Sequence, residues 1–235
     1  MKHLQPKTLQ IMVAVLTNPS FSQRIIRKIC NGTNPISLGH VNKVIMDLER
    51  KGFVEPILNR SYFNSISNKK DEESKKGQAS SRLTYRLSDP VGLLRYIAYF
   101  RSMKELRAFS VRVDATSEAV IEEMAKEGVI FCLGTAQARY SPYYGPDEIS
   151  FYALDPERLL RIFSNASYGD NRIGCYRIDY VRTIQDRASL LDTRFAMTEG
   201  SISLTTKVQT VVDMFCDGKG AYAKPLLKEL WGVQI

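Results

Sequence analysis

The chain has 235 residues, of which 44% are hydrophobic and 10% aromatic, and its formal net charge at pH 7 is +8. This composition is typical of a folded globular protein and excludes an intrinsically disordered chain. No apolar run reaches the roughly 20 residues that span a bilayer. The run IMVAVL at 11–16 is too short for a membrane span and lacks the cleavage site of a secretory signal. We therefore expect a cytoplasmic protein without a membrane association.

The charge is distributed unevenly along the chain. Residues 1–112 contain 20 Lys and Arg against 8 Asp and Glu, a net charge of +12, whereas residues 113–235 contain 13 against 17, a net charge of −4. A charge of +12 on about 110 residues exceeds what solubility requires. The imbalance predicts two domains, of which the first is attracted to a polyanion.

Two helices are predicted near the start of the chain, at 6–17 and 22–30, and Asn-Gly and Pro in NGTNP at 31–35 indicate a turn after them. The apolar stripe predicted for the second helix consists of Ile25, Ile26 and Ile29. A third helix is predicted within SLGHVNKVIMDLERKGFV at 37–54, where the apolar spacing i, i+3, i+4, i+7 places on one face Val41, Val44, Ile45 and Leu48. Ser37 is the expected N-cap of this third helix, and Gly52 suits the left-handed position after its end.

The other face of the third helix carries small, amide and basic groups, namely Gly39, Asn42, Lys43, Met46 and Arg50, flanked by His40 and Asp47. Such groups near the N-terminal half of a helix suit the reading of base edges in a DNA groove. An ordinary amphipathic helix with a solvated face is the other interpretation, and this stretch alone does not separate the two. A helix, a turn and a second helix with a polar face do form a helix-turn-helix arrangement.

Two strands are predicted directly after this helix, FVEPIL at 53–58 and RLTYRL at 82–87. The long connection between them, 59–81, contains four lysines, and Arg60 and Arg82 stand at its borders. A hairpin in this position is the wing of a winged helix, and lysines at its tip would reach phosphates beside the groove. A solvated loop in the absence of DNA is compatible with this interpretation.

The stretch ISLGHVNKVIMDLERKGFVEPI at 36–57 resembles the recognition helix and first wing strand of winged-helix transcriptional regulators of the MarR-like and archaeal kinds. Their pattern of Ser, Val, apolar, Leu-Glu, Gly and Val is matched here by Ser37, Val41, Ile45, Leu48, Glu49, Gly52 and Val54. The resemblance covers residues 5 to about 88, and the departure from it is the unusually long wing. It implies a DNA-binding domain that enters the major groove with the helix at 37–50.

The sequence thus predicts double-stranded DNA as a partner and base contacts by Asn42 and His40. Lys43 is predicted to pair with guanine or a phosphate, and the second helix to contact backbone phosphates. The full predicted interface consists of Gln23, Arg24, Arg27, Ser37, Gly39, His40, Asn42, Lys43, Met46, Lys69, Lys70, Lys75, Lys76 and Arg82. A homodimer is expected, because one winged helix makes too few contacts for selective binding.

The expected fold class is α+β: a winged helix-turn-helix domain at 1–88, a connecting helix at 89–112 and a mixed α/β domain at 113–235 that binds an effector or a partner. The pattern predicts one continuous helix over 89–109, in the core or against a second copy. After residue 113, helices and strands alternate. Asp155 is expected to cap a short helix with Pro156 in its first turn.

Two stretches of this half, FCLGTAQARYSPYYGPDEISFYAL at 131–154 and TKVQTVVDMFCDGKGAYAKPLLKEL at 206–230, resemble antitoxin regulators of the abortive-infection-E type. The second matches a Gln-Thr-(apolar)-(apolar)-Asp-Leu-Phe pattern through Gln209, Thr210, Asp213 and Phe215, with Met214 in place of Leu. In that family a winged helix represses an operon and the remainder counters a nucleotidyltransferase toxin. The resemblance implies an alternative function, a protein-interaction module that binds such a toxin and for which DNA binding is secondary.

Catalysis is not expected. No His follows His40, so residues 113–235 contain no Ser-His-Asp or Cys-His arrangement. GTAQAR and DGKG lack the order of a phosphate-binding loop, although carboxylate pairs such as Asp179 and Asp186 leave open a winged helix fused to an enzyme that acts on a nucleotide. We also expect no cofactor and no metal site, because no CxxC pair exists among Cys30, Cys132, Cys175 and Cys216.

Overall fold

The computed structural model describes residues 4–30, 36–57, 83–141, 145–164, 166–178 and 195–234 of a mixed α+β protein. The chain forms two compact units. The first unit is Lys7–Leu93, and the second is Met1–Pro6 together with Leu94–Ile235. Within the described ranges, every helix is too short or too polar to traverse a lipid bilayer.

The first unit combines three helices with a small antiparallel sheet. Its elements are α1 (Pro6–Thr17), β1 (Ser20–Ser22), α2 (Gln23–Cys30), α3 (Leu38–Arg50), β2 (Val54–Ile57) and β3 (Thr84–Leu87). The strands lie in the order β1-β3-β2. Phe21 and Tyr85 are opposite each other in β1 and β3, and their rings stack with centroids 5.8 Å apart.

The predicted ends of the third helix are confirmed. The Ser37 hydroxyl accepts a hydrogen bond of 3.2 Å from the backbone N–H of His40, which satisfies one free donor of the first turn. Gly52, after the last turn, has a φ of +77°, a conformation that other residues adopt only with strain. The apolar stripe is buried as predicted, with the side chains of Val41, Val44, Ile45 and Leu48 inside the unit.

The second unit is built around a six-stranded mixed sheet. Helix α4 (Pro90–Phe100) begins in the first unit and continues into the second. The described elements of the second unit that follow α4 are α5 (Met103–Leu106), β4 (Arg107–Val113), α6 (Ser117–Lys126), β5 (Ile130–Phe131), α7 (Leu133–Tyr140), β6 (Ile149–Ala153), α8 (Pro156–Phe163), β7 (Asn171–Arg177), β8 (Ala196–Glu199), β9 (Ile202–Thr205), α9 (Lys207–Cys216), a 3-10 turn (Gly220–Ala223) and α10 (Lys224–Trp231). The strand order is β4-β7-β6-β5-β9-β8. The pairs β6–β7 and β5–β9 are parallel, and the other pairs are antiparallel.

The two faces of this sheet differ in polarity, because successive side chains of a strand point to opposite sides. One face is apolar and packs with residues of α6 and α8; it includes Phe131, Phe151, Ile173 and Cys175. The residues that alternate with these in β6 and β7 are Ser150, Tyr152, Gly174 and Tyr176. The hydroxyls of Tyr152 and Tyr176 take part in the hydrogen bonds of the second unit described below.

The prediction of one continuous helix over 89–109 is wrong beyond Phe100. The helix α4 ends there, α5 is a separate turn, and β4 begins at Arg107. Residues 109–113 alternate between apolar and polar and pair in register with β7, and the pairing continues to Arg107 after an irregularity at Ala108. Strand pairing therefore prevails over the helical pattern. Residues 94–112, predicted as a connector, therefore belong to the second unit.

Candidate nucleic-acid interface

The face of α3 opposite its buried stripe is polar and accessible. Gly39, Lys43 and Arg50 are exposed, and Met46 is 38% exposed. Asn42 is half-buried between them and the core. Neither Lys43 nor Arg50 forms an ion pair with another described residue, so both cations remain available to an external anion.

Gln23 is placed differently from the prediction. Its side chain is 1% exposed, and its Nε2 donates a hydrogen bond of 2.7 Å to Oδ1 of Asn42. A side chain enclosed in this way does not reach a DNA phosphate, so the predicted phosphate contact of Gln23 is wrong. The residue instead joins α2 to the half-buried amide at the accessible face of α3.

His40 is half-buried, and one of its ring nitrogens is engaged within the first unit. Nε2 lies 3.3 Å from Oγ1 of Thr8 in α1. This contact restrains the ring, and Nδ1 has no hydrogen-bond partner among the described residues. Ser37, whose hydroxyl caps the helix, is exposed at the same end of α3.

The outer face of α2 is basic. Arg24 and Arg27, which were predicted to contact phosphates, are exposed, and so is Lys28, which was not among the predicted residues. Because residues four apart share a helix face, the position of Lys28 relative to Arg24 was a usable signal. Ile25, predicted to belong to the apolar stripe, is 48% exposed, since an eight-residue helix buries a narrower stripe here.

Two other cations near α3 and the hairpin are paired with carboxylates. Lys51 contacts Asp47 one turn earlier in the helix. Arg86 in β3 donates from Nε to Oε1 of Glu55 in β2 at 2.8 Å. These exposed pairs reduce the positive charge available along the β2–β3 strands, which leaves α2 and α3 as the main described source of cations.

The predicted wing contacts lie outside the described residues. They are Lys69, Lys70, Lys75, Lys76 and Arg82. The two strands that flank the connection, β2 and β3, pair antiparallel from Val54 opposite Leu87 to Ile57 opposite Thr84. The pairing fixes where the connection leaves and re-enters the sheet.

The second unit contains a buried ion pair on the polar side of its sheet. Nη1 of Arg101 donates to Oδ1 of Asp213 at 2.8 Å, and the Tyr152 hydroxyl donates to the same oxygen at 2.9 Å. Gln209 supplies a third donor at 2.8 Å. Burial raises the pKa of Asp213 to about 6, even though Arg101 and the three hydrogen bonds oppose this rise. Because Asp213 is fully buried, the cluster has the character of a structural network.

This cluster accounts for part of the antitoxin-like pattern in α9. Gln209 and Asp213, two of the residues that match it, are one turn apart, and the amide of the first donates to the carboxylate of the second. Their spacing therefore serves a hydrogen bond inside the unit. The third matching residue, Thr210, is within 2.8 Å of the Thr205 hydroxyl.

A second polar cluster lies near the start of β6. Oε1 of Glu148 accepts hydrogen bonds from Arg107 at 2.9 Å and from the Tyr176 hydroxyl at 2.8 Å. Its other oxygen, Oε2, pairs with Arg172 at 3.2 Å. A Cβ at Gly174 would stand 2.3 Å from Oε1, so this strand position requires glycine for the carboxylate to lie over the sheet.

In the part of the chain that the structure describes, no three His, Cys, Asp or Glu side chains are grouped to hold a metal ion. Burial raises the pKa of Cys30 and of Cys175 to about 12, so these thiols stay protonated at neutral pH. Asp155 caps α8 as predicted, by accepting from the backbone N–H of Arg158 at 3.0 Å. Asp179 and Asp186 lie outside the described residues.

Comparison with known proteins returned no match to a family model, to a curated protein or to a solved structure. The functional assignment therefore depends on the geometry and charge of the first unit.

Proposed function

We propose that the chain is a sequence-specific DNA-binding transcriptional regulator, in which the first unit is a winged helix that places α3 in the major groove. The observation that carries this proposal is the accessible face of α3. It presents an amide, Asn42, and two cations without described partners, Lys43 and Arg50, on a helix whose opposite face is buried. Amide and basic side chains are the ones that hydrogen-bond to purine edges in the major groove.

The order of elements supports the same function. A helix-turn-helix domain positions its second helix in the groove while the preceding helix crosses the backbone. In the first unit, α2 precedes α3, and the β2–β3 strands follow α3 directly. The connection between these strands carries the wing lysines and would reach the phosphates beside the groove.

The charge of α2 provides the electrostatic component. Arg24, Arg27 and Lys28 are exposed on its outer face, next in sequence to the proposed reading helix. Cations that contact phosphates set the register of a protein on a duplex and contribute most of the affinity that does not depend on sequence. Lys7–Leu93, the residues of the first unit, contain 14 Lys and Arg against 7 Asp and Glu, and this net charge of +7 is consistent with the role.

A homodimer belongs to the proposal. One reading helix contacts only a few base pairs, and a twofold arrangement would place two such helices about 34 Å apart, one turn of B-DNA. Light scattering coupled to size-exclusion chromatography measures the expected dimer. A monomer at micromolar concentration that nevertheless binds DNA selectively would contradict this part of the proposal.

The test of the proposed function is a salt-titrated binding assay. Fluorescence anisotropy would compare a duplex from the region upstream of the protein's own coding sequence with a shuffled duplex of the same length and composition. We expect tighter binding to the upstream duplex at every salt concentration, and a steep decrease of both affinities with salt. Equal affinity for both duplexes would contradict sequence-specific binding, and no binding at low salt would exclude DNA as the partner.

A second candidate function is the antitoxin-like one, in which the second unit binds a protein. The observation that favours it is the exposure of three apolar side chains in or beside α8: Leu154 at 50%, Leu160 at 42% and Ile162 at 39%. Contiguous patches of exposed apolar side chains, more than single ones, mark protein-binding surfaces. Co-purification with the product of a neighbouring gene, lost on Leu160→Glu, would support this candidate, and an unchanged yield of the partner would contradict it.

A further inference from the structure

The contact between Gln23 and Asn42 sets the orientation of a side chain in the proposed reading surface. Gln23 is 1% exposed and donates to Oδ1 of Asn42 at 2.7 Å. Asn42 is half-buried, and its Nδ2 has no partner among the residues that the structure describes. The buried Gln23 side chain thus engages Oδ1, the acceptor of the Asn42 amide, and Nδ2, its donor, remains available to an external partner.

Gln23 is itself held from the other side. The hydroxyl of Tyr85 in β3 is hydrogen-bonded to the Gln23 side chain. Burial and the charge of Glu49 raise the pKa of Tyr85, and the bond to Gln23 opposes that rise. Tyr85 is buried and stacks on Phe21 in the neighbouring strand, so it offers Gln23 a fixed partner. Gln23 therefore lies between a fixed tyrosine of β3 and the amide of Asn42 in α3.

We propose that Gln23 is a positioning residue for base readout: it holds the Asn42 amide so that Nδ2, and not Oδ1, is the group that faces DNA. The inference rests on the proposed function and extends it to the specificity of one contact. A buried side chain that hydrogen-bonds a contacting residue decides which end of its amide is presented, because an amide has one donor and one acceptor end.

The consequence is a preference at one base pair. Nδ2 donates to acceptors, and guanine offers two adjacent ones in the major groove, N7 and O6. Thymine offers one acceptor, O4, and adenine offers N7 beside its N6–H donor, whereas cytosine presents only the N4–H donor, which would require the acceptor end of the amide. We therefore expect the base that Asn42 contacts to be read through its acceptor atoms.

The first arm of the test is selection from a duplex library with about 20 random base pairs, enough for two half-sites one helical turn apart. We expect Gln23→Met to lose about tenfold discrimination at one base pair per half-site, with unchanged affinity for shuffled DNA. Gln23→Glu supplies an acceptor to Nδ2 of Asn42, so the amide turns over and the preference should move toward a base that presents a donor. In the Gln23→Met background, Asn42→Ala should cause no further loss of discrimination, because both changes remove the same contact.

The matched control is Gln10→Met. Gln10 is also a buried glutamine of the first unit, and its Nε2 donates to the backbone carbonyl of Cys30 at 3.1 Å, away from Asn42. This variant loses a comparable hydrogen bond and should retain the base preference of the wild type. A parallel loss of discrimination in Gln10→Met would show that destabilisation, and not positioning, explains the effect of Gln23→Met.

The second arm examines the free protein, so that its result does not depend on DNA binding. The order parameter of the Asn42 side-chain amide, from ¹⁵N relaxation, should decrease in Gln23→Met and in Tyr85→Phe but not in Gln10→Met. An unchanged order parameter in Gln23→Met would overturn the positioning role. A wild type that selects no sequence would overturn the proposed function, and a Gln23→Met variant that selects as the wild type does would overturn this inference alone.

Discussion

Arg101 and Asp213 are 112 residues apart in the chain and form an ion pair of 2.8 Å with side chains only 4% and 0% exposed. The Tyr152 hydroxyl accepts from Nη2 of the arginine at 2.9 Å and donates to the carboxylate, which closes a triangle. A buried pair of this kind adds little net stability over an apolar alternative, but removal of one partner leaves an uncompensated buried charge. Because burial raises the pKa of the Asp213 carboxyl, the stability of the second unit depends on pH.

Arg101→Met should destabilise the protein by about 3–5 kcal/mol at pH 8, because the Asp213 carboxylate then lacks its cation. At pH 5 the loss should be smaller. Equilibrium unfolding in urea at the two pH values measures both differences.

The direction of the pH effect follows from the pKa of Asp213, which is about 6 in the folded protein against an ordinary value of 3.8. The folded state retains the proton between these values, so stability falls as pH rises from about 4 to 6 and is level above. Arg101 lowers the pKa of Asp213, so removal of the arginine raises that pKa. The range over which stability falls with rising pH then extends to higher pH. A loss in Arg101→Met that is independent of pH would contradict this assignment. Arg158→Met, at an exposed pair with Glu127, is the control and should cost less than about 1 kcal/mol at either pH.

Lys43→Ala should weaken binding to the selected operator duplex by about tenfold, since a good contact to a base edge contributes roughly 1–3 kcal/mol. The melting temperature should change by no more than a few degrees, because Lys43 is exposed. Anisotropy and a thermal melt measure the two effects. Lys126→Ala, at an exposed position of α6, is the matched control and should leave the affinity unchanged. Wild-type affinity in Lys43→Ala would remove this residue from the interface.

Replacement of Lys69, Lys70, Lys75 and Lys76 by Ala should weaken binding to operator and shuffled duplexes alike. Each lysine that contacts a phosphate contributes about 0.9 to the slope of log affinity against log salt, so the slope should decrease by up to about 4. The slope is obtained from the same titration as that of the wild type. A change confined to the operator duplex would indicate a base-reading role for the wing, and an unchanged slope would show that the wing does not contact phosphates.

Replacement by Ala of Gly39, within α3, and of Gly52, just after its end, should change the free energy of unfolding in opposite directions. At Gly39 an added Cβ meets no atom within 4 Å, and the position is helical, so Gly39→Ala should stabilise the protein by about 0.5–1 kcal/mol. At Gly52 the space is also open, but φ is +77°, and Gly52→Ala should destabilise by about 1 kcal/mol. Urea unfolding measures both. Equal effects at the two sites would show that backbone conformation is not the cause.

The local elements of this protein are determined by its sequence. The ends of α3 were predictable because Ser37 and Gly52 act on adjacent backbone groups, and the buried stripe followed from the helical repeat. The strands β2 and β3 and the cap at Asp155 were predictable for the same reason. Each of these features depends on residues within a few positions of one another.

The tertiary structure decided what depends on distant residues. Residues 107–113 became a strand because β7, whose paired residues lie 58 to 69 positions later, offers a partner. Gln23 lies on a polar helix beside two arginines, and only the packing of α2 against α3 and β3 turned it inward toward Asn42. The pairing of Arg101 with Asp213 could not be predicted from the sequence either, because side chains over a hundred residues apart are brought together by the tertiary fold and not by a local pattern.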